Sequence, residues 1–222
     1  IKHNLCDCEP IIWVFWWQGK DSMPDICKVC YHSLLSHSNG RKINLVTQNN
    51  YSDYLSVPSL IIKKVENAEI SFTNFSDIIR CMLLSKYGGL WVDSTLYFAQ
   101  DIPSSWFTYP FFSIKNKQDG YKFVSLNRWS TFIMGTNGKS NFFRELEDLM
   151  LQYSAKERMY LEYMTIDYFM DILFRNDVYK KQLAQLPYLN EGLHTLRLKL
   201  NDPYDRDVYQ KLITDNVCFK LS

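Results

Sequence analysis

A chain of 222 residues with 46% hydrophobic content is long enough for one domain with a full core, able to bury roughly 70% of its unfolded surface. Lys and Arg total 25 against 24 Asp and Glu, a net charge of +1 that gives no electrostatic reason to coat nucleic acid. Aromatics at 16% with only 8 glycines exclude disordered, collagen-like and low-complexity chains.

Ile11 to Trp17 (IIWVFWW) is the longest apolar run. It is far short of the ~20 residues of a membrane span, and bounded by Pro10 and Gly19 it reads as a strand buried on both faces. No transmembrane helix or signal peptide is visible. A helix follows from about Pro24 to Ser36, then an Asn39-Gly40 turn and a strand over Lys42–Thr47. Strand, helix and strand with short connections form a βα unit and call for a parallel sheet. Asn49 to Asn67 carries short helical pieces. Thr73-Asn74-Phe75-Ser76 offers a helix N-cap with Asp77 in the first turn. Ile78, Ile79, Met82 and Leu83 then share one face until Gly88-Gly89 stop the helix. Leu90-Trp91-Val92 is strand-like and ends in Asp93-Ser94-Thr95. Short strands are expected at Phe111–Lys115 and Thr131–Met134. Helices are expected at about Asn141–Ser154, Tyr160–Arg175 and Tyr179–Leu186, with a last strand near Val217–Leu221. The whole reads as a single α/β domain whose C-terminal half adds helices.

The six cysteines are scattered, unlike a disulfide scaffold. Cys27 and Cys30 lie at helical spacing with Ile26 and Leu34 and read as small buried hydrophobes rather than metal ligands. Cys6-Asp7-Cys8 is a better zinc half-site, but no second pair accompanies it. Reduced thiols point to a cytoplasmic location. Gly135 to Ser140 follows a strand and opens a helix, yet a P-loop needs glycine where this chain has Ile133. It reads as a turn, with Asn137 a candidate for the donor or acceptor side. His3, His32 and His37 have no paired nucleophile, so a hydrolytic triad has no footing.

The sharpest block is Phe75 to Thr95, FSDIIRCMLLSKYGGLWVDST. Asp77 and Arg80, three apart, project from one helix face. Asp93 is delivered at the C-terminal end of a strand, where open parallel sheets place ligand sites. A carboxylate there suits Mg²⁺ or Mn²⁺ on phosphates. Spacing alone leaves a second reading open, of a surface helix pair and a turn residue. Asp167 and Asp171, four apart, stand likewise between an acceptor-facing role and a solvated helix face.

Ser76-Asp77-Ile78-Ile79-Arg80 followed by Tyr87-Gly88-Gly89-Leu90-Trp91-Val92-Asp93 resembles the sugar-nucleotide block of GT-A glycosyltransferases. Among these it resembles bacterial capsular polysaccharide synthesis proteins and the DXD-region transferases related to clostridial glucosylating toxins. The N-terminal segment from Ile11 to Leu35, TIDYFMDILF around Asp167, and Phe219-Lys220-Leu221-Ser222 extend the resemblance over most of the chain. It implies a GT-A-like, Rossmann-like, mostly parallel sheet flanked by helices. One domain over 1–222 would hold a nucleotide-sugar half at about 10–100 and an acceptor half at about 100–222. It implies a hexosyltransferase-like enzyme with a nucleotide-diphosphate donor, UDP-sugar foremost. The acceptor would be a saccharide or lipid-linked saccharide of a capsule or other surface polysaccharide, at the inner face of the plasma membrane, with retention at the anomeric carbon. A degenerate, non-catalytic sugar-nucleotide or glycan-binding homologue is the alternative.

The donor-binding set that the resemblance implies is Trp17, Gln18, Gly19, Ser76, Asp77, Arg80, Gly88, Gly89, Asp93, Ser94, Lys220 and Ser222. Asp77, Arg80 and Asp167 would be catalytic. Asp93 and Thr95 would hold Mn²⁺ or Mg²⁺, with His194, Cys218 and Ser222 as loose candidates to complete the shell. Here the second acid of the D-x-D pattern is Thr95, and Lys220 is an alternative charge for the diphosphate.

Overall fold

The computed structural model describes residues 10–115, 123–160, 162–188 and 192–222. The Cys6-Asp7-Cys8 half-site and His3 lie outside them. The predicted βα unit is present as β1 (Ile12–Phe15), α1 (Asp25–Ser36) and β2 (Ile43–Val46), with β1 and β2 parallel. The turn between α1 and β2 places Asn39 and Gly40 at φ 54° and 74°. Short helices α2 (Tyr51–Tyr54) and α3 (Ser59–Glu66) lead to α4 (Phe72–Tyr87) and β3 (Gly89–Val92). Then come β4 (Leu96–Phe98), β5 (Phe112–Ser113), β6 (Ile133–Thr136) and α5 (Asn141–Lys156). The chain continues through α6 (Thr165–Leu173), α7 (Asp177–Ala184), α8 (Thr195–Leu198), α9 (Arg206–Asp215) and β7 (Cys218–Lys220).

The main sheet has the order β2-β1-β3-β6-β5, in which β6 alone runs against the others. Both faces are covered, so the strands carry apolar side chains on both sides. On β1, Trp13 and Phe15 join a core with α3, α4, α5 and α6, while Ile12 and Val14 join a second core with Leu34 of α1. This is the period-two alternation of a strand buried twice. Cys27 and Cys30 are buried in α1, and burial raises both thiols, Cys30 to about 12. They are inert packing residues.

Three local expectations need correction. The N-cap of α4 is Ser71, whose side chain accepts from the Asn74 N–H at 3.1 Å. Asp77 therefore lies in the second turn, beyond help from the helix terminus. The Gly135–Ser140 turn does open α5, capped by Ser140. However, β6 is antiparallel to β3 and pairs Thr136 with Gly89, which puts that turn at the sheet edge away from Asp93. Asn137 donates there to the Thr108 carbonyl at 3.0 Å, at the far end of β3 from Asp93. Finally, β4, α8 and α9 were not anticipated.

A small second sheet pairs β4 antiparallel to β7, with Leu96 opposite Lys220. The Leu221 N–H donates to Thr95 O at 3.0 Å, and the Lys220 N–H to Leu193 O at 2.8 Å. The last strand is thereby threaded between the segment after Asp93 and the segment before His194.

Candidate active site

The C-terminal ends of β1 and β3, the start of α4, the start of α6 and β7 enclose a cleft of about 590 Å³. Helix periodicity explains the contribution of α4. Thr73, Ser76, Asp77 and Arg80 lie on its cleft face, whereas Phe75, Ile78, Ile79 and Leu83 fill the core. β3 ends at Val92, so the side chain of Asp93 emerges where the sheet stops.

Arg80 is the hub. Its guanidinium is 4% exposed and contacts Asp77 Oδ1 at 3.2 Å and Asp93 Oδ1 at 3.1 Å. It also donates to the Thr131 carbonyl at 2.5 Å and packs over the Trp91 ring at 4.8 Å. Its planar fork suits bridging two carboxylates, which a lysine could not do. Trp91 Nε1 donates to the same Asp93 oxygen at 2.8 Å. The second Asp93 oxygen accepts from Lys220 Nζ at 3.3 Å, and Lys220 also donates to Thr95 Oγ1.

Burial pushes the Asp77 carboxyl up to about 7; Arg80 opposes this, while the charges of Asp93 and Asp167 add to it. Asp167 is raised to about 6, again mainly by burial, although Trp129 Nε1 donates to it at 2.8 Å. Neighbouring buried acids raised by desolvation cluster at functional sites more often than elsewhere. His194, on the opposite wall, is lowered by burial first and by Arg197 second.

Of the residues expected from sequence, Trp17, Gln18, Ser76, Asp77, Arg80, Asp93, Ser94, Thr95, Lys220, Ser222 and His194 line this one cleft. Others do not. Gly88 and Gly89 lie at the opposite end of β3, on the order of 13 Å away along a four-residue strand. The Gly88 carbonyl accepts from Trp13 Nε1 at 2.9 Å, and a Cβ on Gly89 would stand 2.2 Å from Ile11 O. Their role is to bring the chain from α4 into the sheet. Gly19, at φ 91°, accepts from the Ser22 hydroxyl in the loop after Trp17 and is not part of the cleft wall. Asp167 is buried, with its neighbours Met164 and Ile166 lining the cleft and Asp167 itself not among the lining residues. Asp171 pairs with Arg128 at 2.6 Å and Arg175 at 3.1 Å, which hold its carboxyl below the usual range. Cys218 is buried in β7, away from the cleft surface.

Sequence reading missed Trp16, Phe72, Thr131, Phe132, Tyr163 and Arg197 as cleft residues. The strand expected from Thr131 begins at Ile133, which leaves Thr131 and Phe132 before it, at the cleft. Arg197 sits on α8, which has no helical signature of its own beyond one turn.

The sequence profile for capsular polysaccharide synthesis proteins matches residues 2–222. The chain belongs to the capsular polysaccharide synthesis protein family. Among curated protein sequences no match is found. Among solved structures, the PaToxG glycosyltransferase aligns with a TM-score of 0.53 at 12% identity, over 93% of this chain and 84% of that one. A glycosyltransferase involved in the glycosylation of the major capsid of PBCV-1 aligns with a TM-score of 0.45 at 9% identity, over 96% of this chain and 93% of that one. The PaToxG likeness establishes a GT-A-like fold for this family member. No helix among the described residues is long and apolar enough to cross a membrane.

Proposed function

We propose that this capsular polysaccharide synthesis protein is a retaining glycosyltransferase. Its donor is a nucleotide-diphosphate sugar, UDP-sugar foremost, and its acceptor a saccharide or lipid-linked saccharide. One observation carries the reading: two carboxylates and three cations converge with three indoles in a single cleft at the C-terminal edge of the sheet. Trp16 and Trp17 offer aromatic surface for a base at one end. Asp77 and Arg80 offer acceptor and donor atoms for sugar hydroxyls in the middle, and Lys220 and Arg197 supply positive charge for a diphosphate at the other.

In such a reaction the bond from the anomeric carbon to the β-phosphate oxygen breaks and the acceptor oxygen bonds to the same face. The acceptor's proton passes to the departing phosphate oxygen. The protein's task is to position the two substrates and stabilise charge. Lys220 and Arg197 face the charge that grows on the diphosphate. The ionised form of Asp77, held by Arg80, faces the oxocarbenium character that grows on the sugar. Asp93 does not act on substrate directly in this scheme; it anchors Arg80 and Lys220.

The test is a panel of UDP- and GDP-sugars, followed by thermal shift and by slow hydrolysis, with the anomeric configuration of the released sugar read by NMR. Stabilisation by one nucleotide sugar with release of the retained anomer is the expected result. Because both Asp93 oxygens are already engaged, a binding-only homologue is the second reading. Tight binding with no hydrolysis or transfer from any donor would favour it.

A further inference from the structure

The position between Asp93 and Thr95, where the D-x-D pattern leads one to expect a divalent cation, is filled by an amine of the chain itself. Lys220 Nζ is 3.3 Å from Asp93 Oδ2 and in hydrogen-bond contact with Thr95 Oγ1. The β4–β7 register puts it there: Lys220 pairs with Leu96, so its side chain reaches across the preceding two positions. The other Asp93 oxygen is held by Arg80 and Trp91. A Mg²⁺ or Mn²⁺ on a diphosphate takes one or two carboxylates and fills its other positions with phosphate oxygens and water, and the one carboxylate at this position, Asp93, has both oxygens engaged. Among the described residues no three His, Cys, Asp or Glu side chains are grouped to hold a metal ion. A dication at Asp93 would have to expel an ammonium from its carboxylate or share that carboxylate with it at repulsive range. The donor set does not fit the metal.

It does fit a diphosphate. Arg80, Arg197 and Lys220 set three positive charges against Asp77 and Asp93 around the cleft, and each phosphate of a nucleotide sugar brings one negative charge. An ammonium has three N–H donors. Asp93 and Thr95 take two of them, and the third remains for a phosphate oxygen. Both anchors are only half-buried, so the amine lies at the cleft surface rather than beneath it.

We propose that Lys220 replaces the divalent cation, so that this chain binds the diphosphate of its donor without metal, with Asp93 and Thr95 serving as the seat of the ammonium. The proposal rests on the reading of the cleft as a nucleotide-sugar site.

The experiment is calorimetric titration of the full chain with UDP, GDP and the parent nucleosides, in EDTA and in Mn²⁺, for wild type, Lys220→Ala and Lys220→Arg. The expected result is a wild-type nucleoside diphosphate affinity that is the same in EDTA and Mn²⁺. Lys220→Ala should weaken it by about 10- to 100-fold, the loss of one charge-assisted contact, with nucleoside affinity unchanged and Lys220→Arg intermediate. Circular dichroism melting of each variant separates misfolding from lost binding. Diphosphate affinity that appears only with Mn²⁺, or that survives Lys220→Ala in EDTA, overturns the proposal while leaving the donor site standing. Absence of binding by any nucleotide under either condition overturns the donor site and the proposal together.

Discussion

Arg80 on α4 and Asp93 at the end of β3 meet at 3.1 Å through a guanidinium that is almost wholly buried. This contact, with the Arg80–Asp77 contact at 3.2 Å, ties the helix to the strand end at the floor of the cleft. A buried charge with its partner removed is costly, about 3–5 kcal/mol. Arg80→Met should therefore destabilise the fold by an amount in that range, seen as a lower urea midpoint at unchanged slope. The same reasoning makes the loss partly reversible. Adding Asp77→Asn to Arg80→Met removes an unpaired buried carboxylate and should recover a measurable part of it. If the double variant is as unstable as the sum of the singles, Arg80 is stabilising by packing on Trp91 rather than by charge.

Asp77 gives a pH signature. Its folded pKa of about 7 is above that of an unfolded carboxyl, so the fold favours the protonated form. Its contribution to stability falls as pH rises from about 4 and levels off above about 7. The ionised form is the one assigned to the sugar, so turnover should rise through the same window. Asp77→Asn should reduce the fall in stability between pH 4 and 7, leaving the part carried by Asp167, and lower turnover by about 100-fold or more, with little change in UDP affinity. Urea melts at pH 5 and 8 and a kcat/KM profile check both halves. A variant that keeps the wild-type pH–rate limb would remove Asp77 from the chemistry.

Gly89 separates architecture from binding. At φ 87° its Cβ would approach a backbone carbonyl, Ile11 O, to 2.2 Å. Neither the torsion nor the strand can yield cheaply. Gly89→Ala should cost about 2–3 kcal/mol, and more if β1 is pushed aside. The donor affinity of the folded protein should be unchanged, because Gly89 is at the far end of β3. A variant of normal stability with weakened nucleotide binding would return the glycine to the site.

The legible part of the fold was the part carried by pattern. The run through Trp17 and the helix–glycine–strand block ending at Asp93 announced themselves by period and punctuation, and Asp77, Arg80 and Asp93 do converge. The reversed β6 was not legible, because strand direction leaves no mark on a four-residue apolar segment. This is why Asn137 was drawn toward a site from which the topology removes it. Asp167 stood out only through the resemblance of TIDYFMDILF, and its burial depends on how α6 docks. Lys220 was visible only through resemblance; its contact with Asp93 spans 127 positions and exists because a three-residue strand, β4, pairs with β7. β7 was expected near Val217–Leu221, but β4 has only three residues and shows no alternation to announce it.

Trp17 tests the base end of the cleft. Its ring packs edge-on to Phe75 at 5.2 Å and tilted against Tyr51 at 5.3 Å and Phe72 at 6.3 Å, and it lines the cleft beside Gln18. An indole fixed in this way is ready to stack without losing much freedom on binding. Base stacking on an aromatic is worth about 1–3 kcal/mol by alanine substitution. Trp17→Ala should therefore weaken the nucleoside, the nucleoside diphosphate and the nucleotide sugar by one common factor of about 5- to 150-fold. This is unlike a change at Lys220, which should spare the nucleoside. Trp17→Phe should lie between, since it keeps a smaller face and most of the packing on Phe75. Titration of the three ligands against each variant decides it. A Trp17→Ala protein that binds the nucleoside as wild type does would move the base away from this wall, toward Phe132 and Tyr163 on the other side of the cleft.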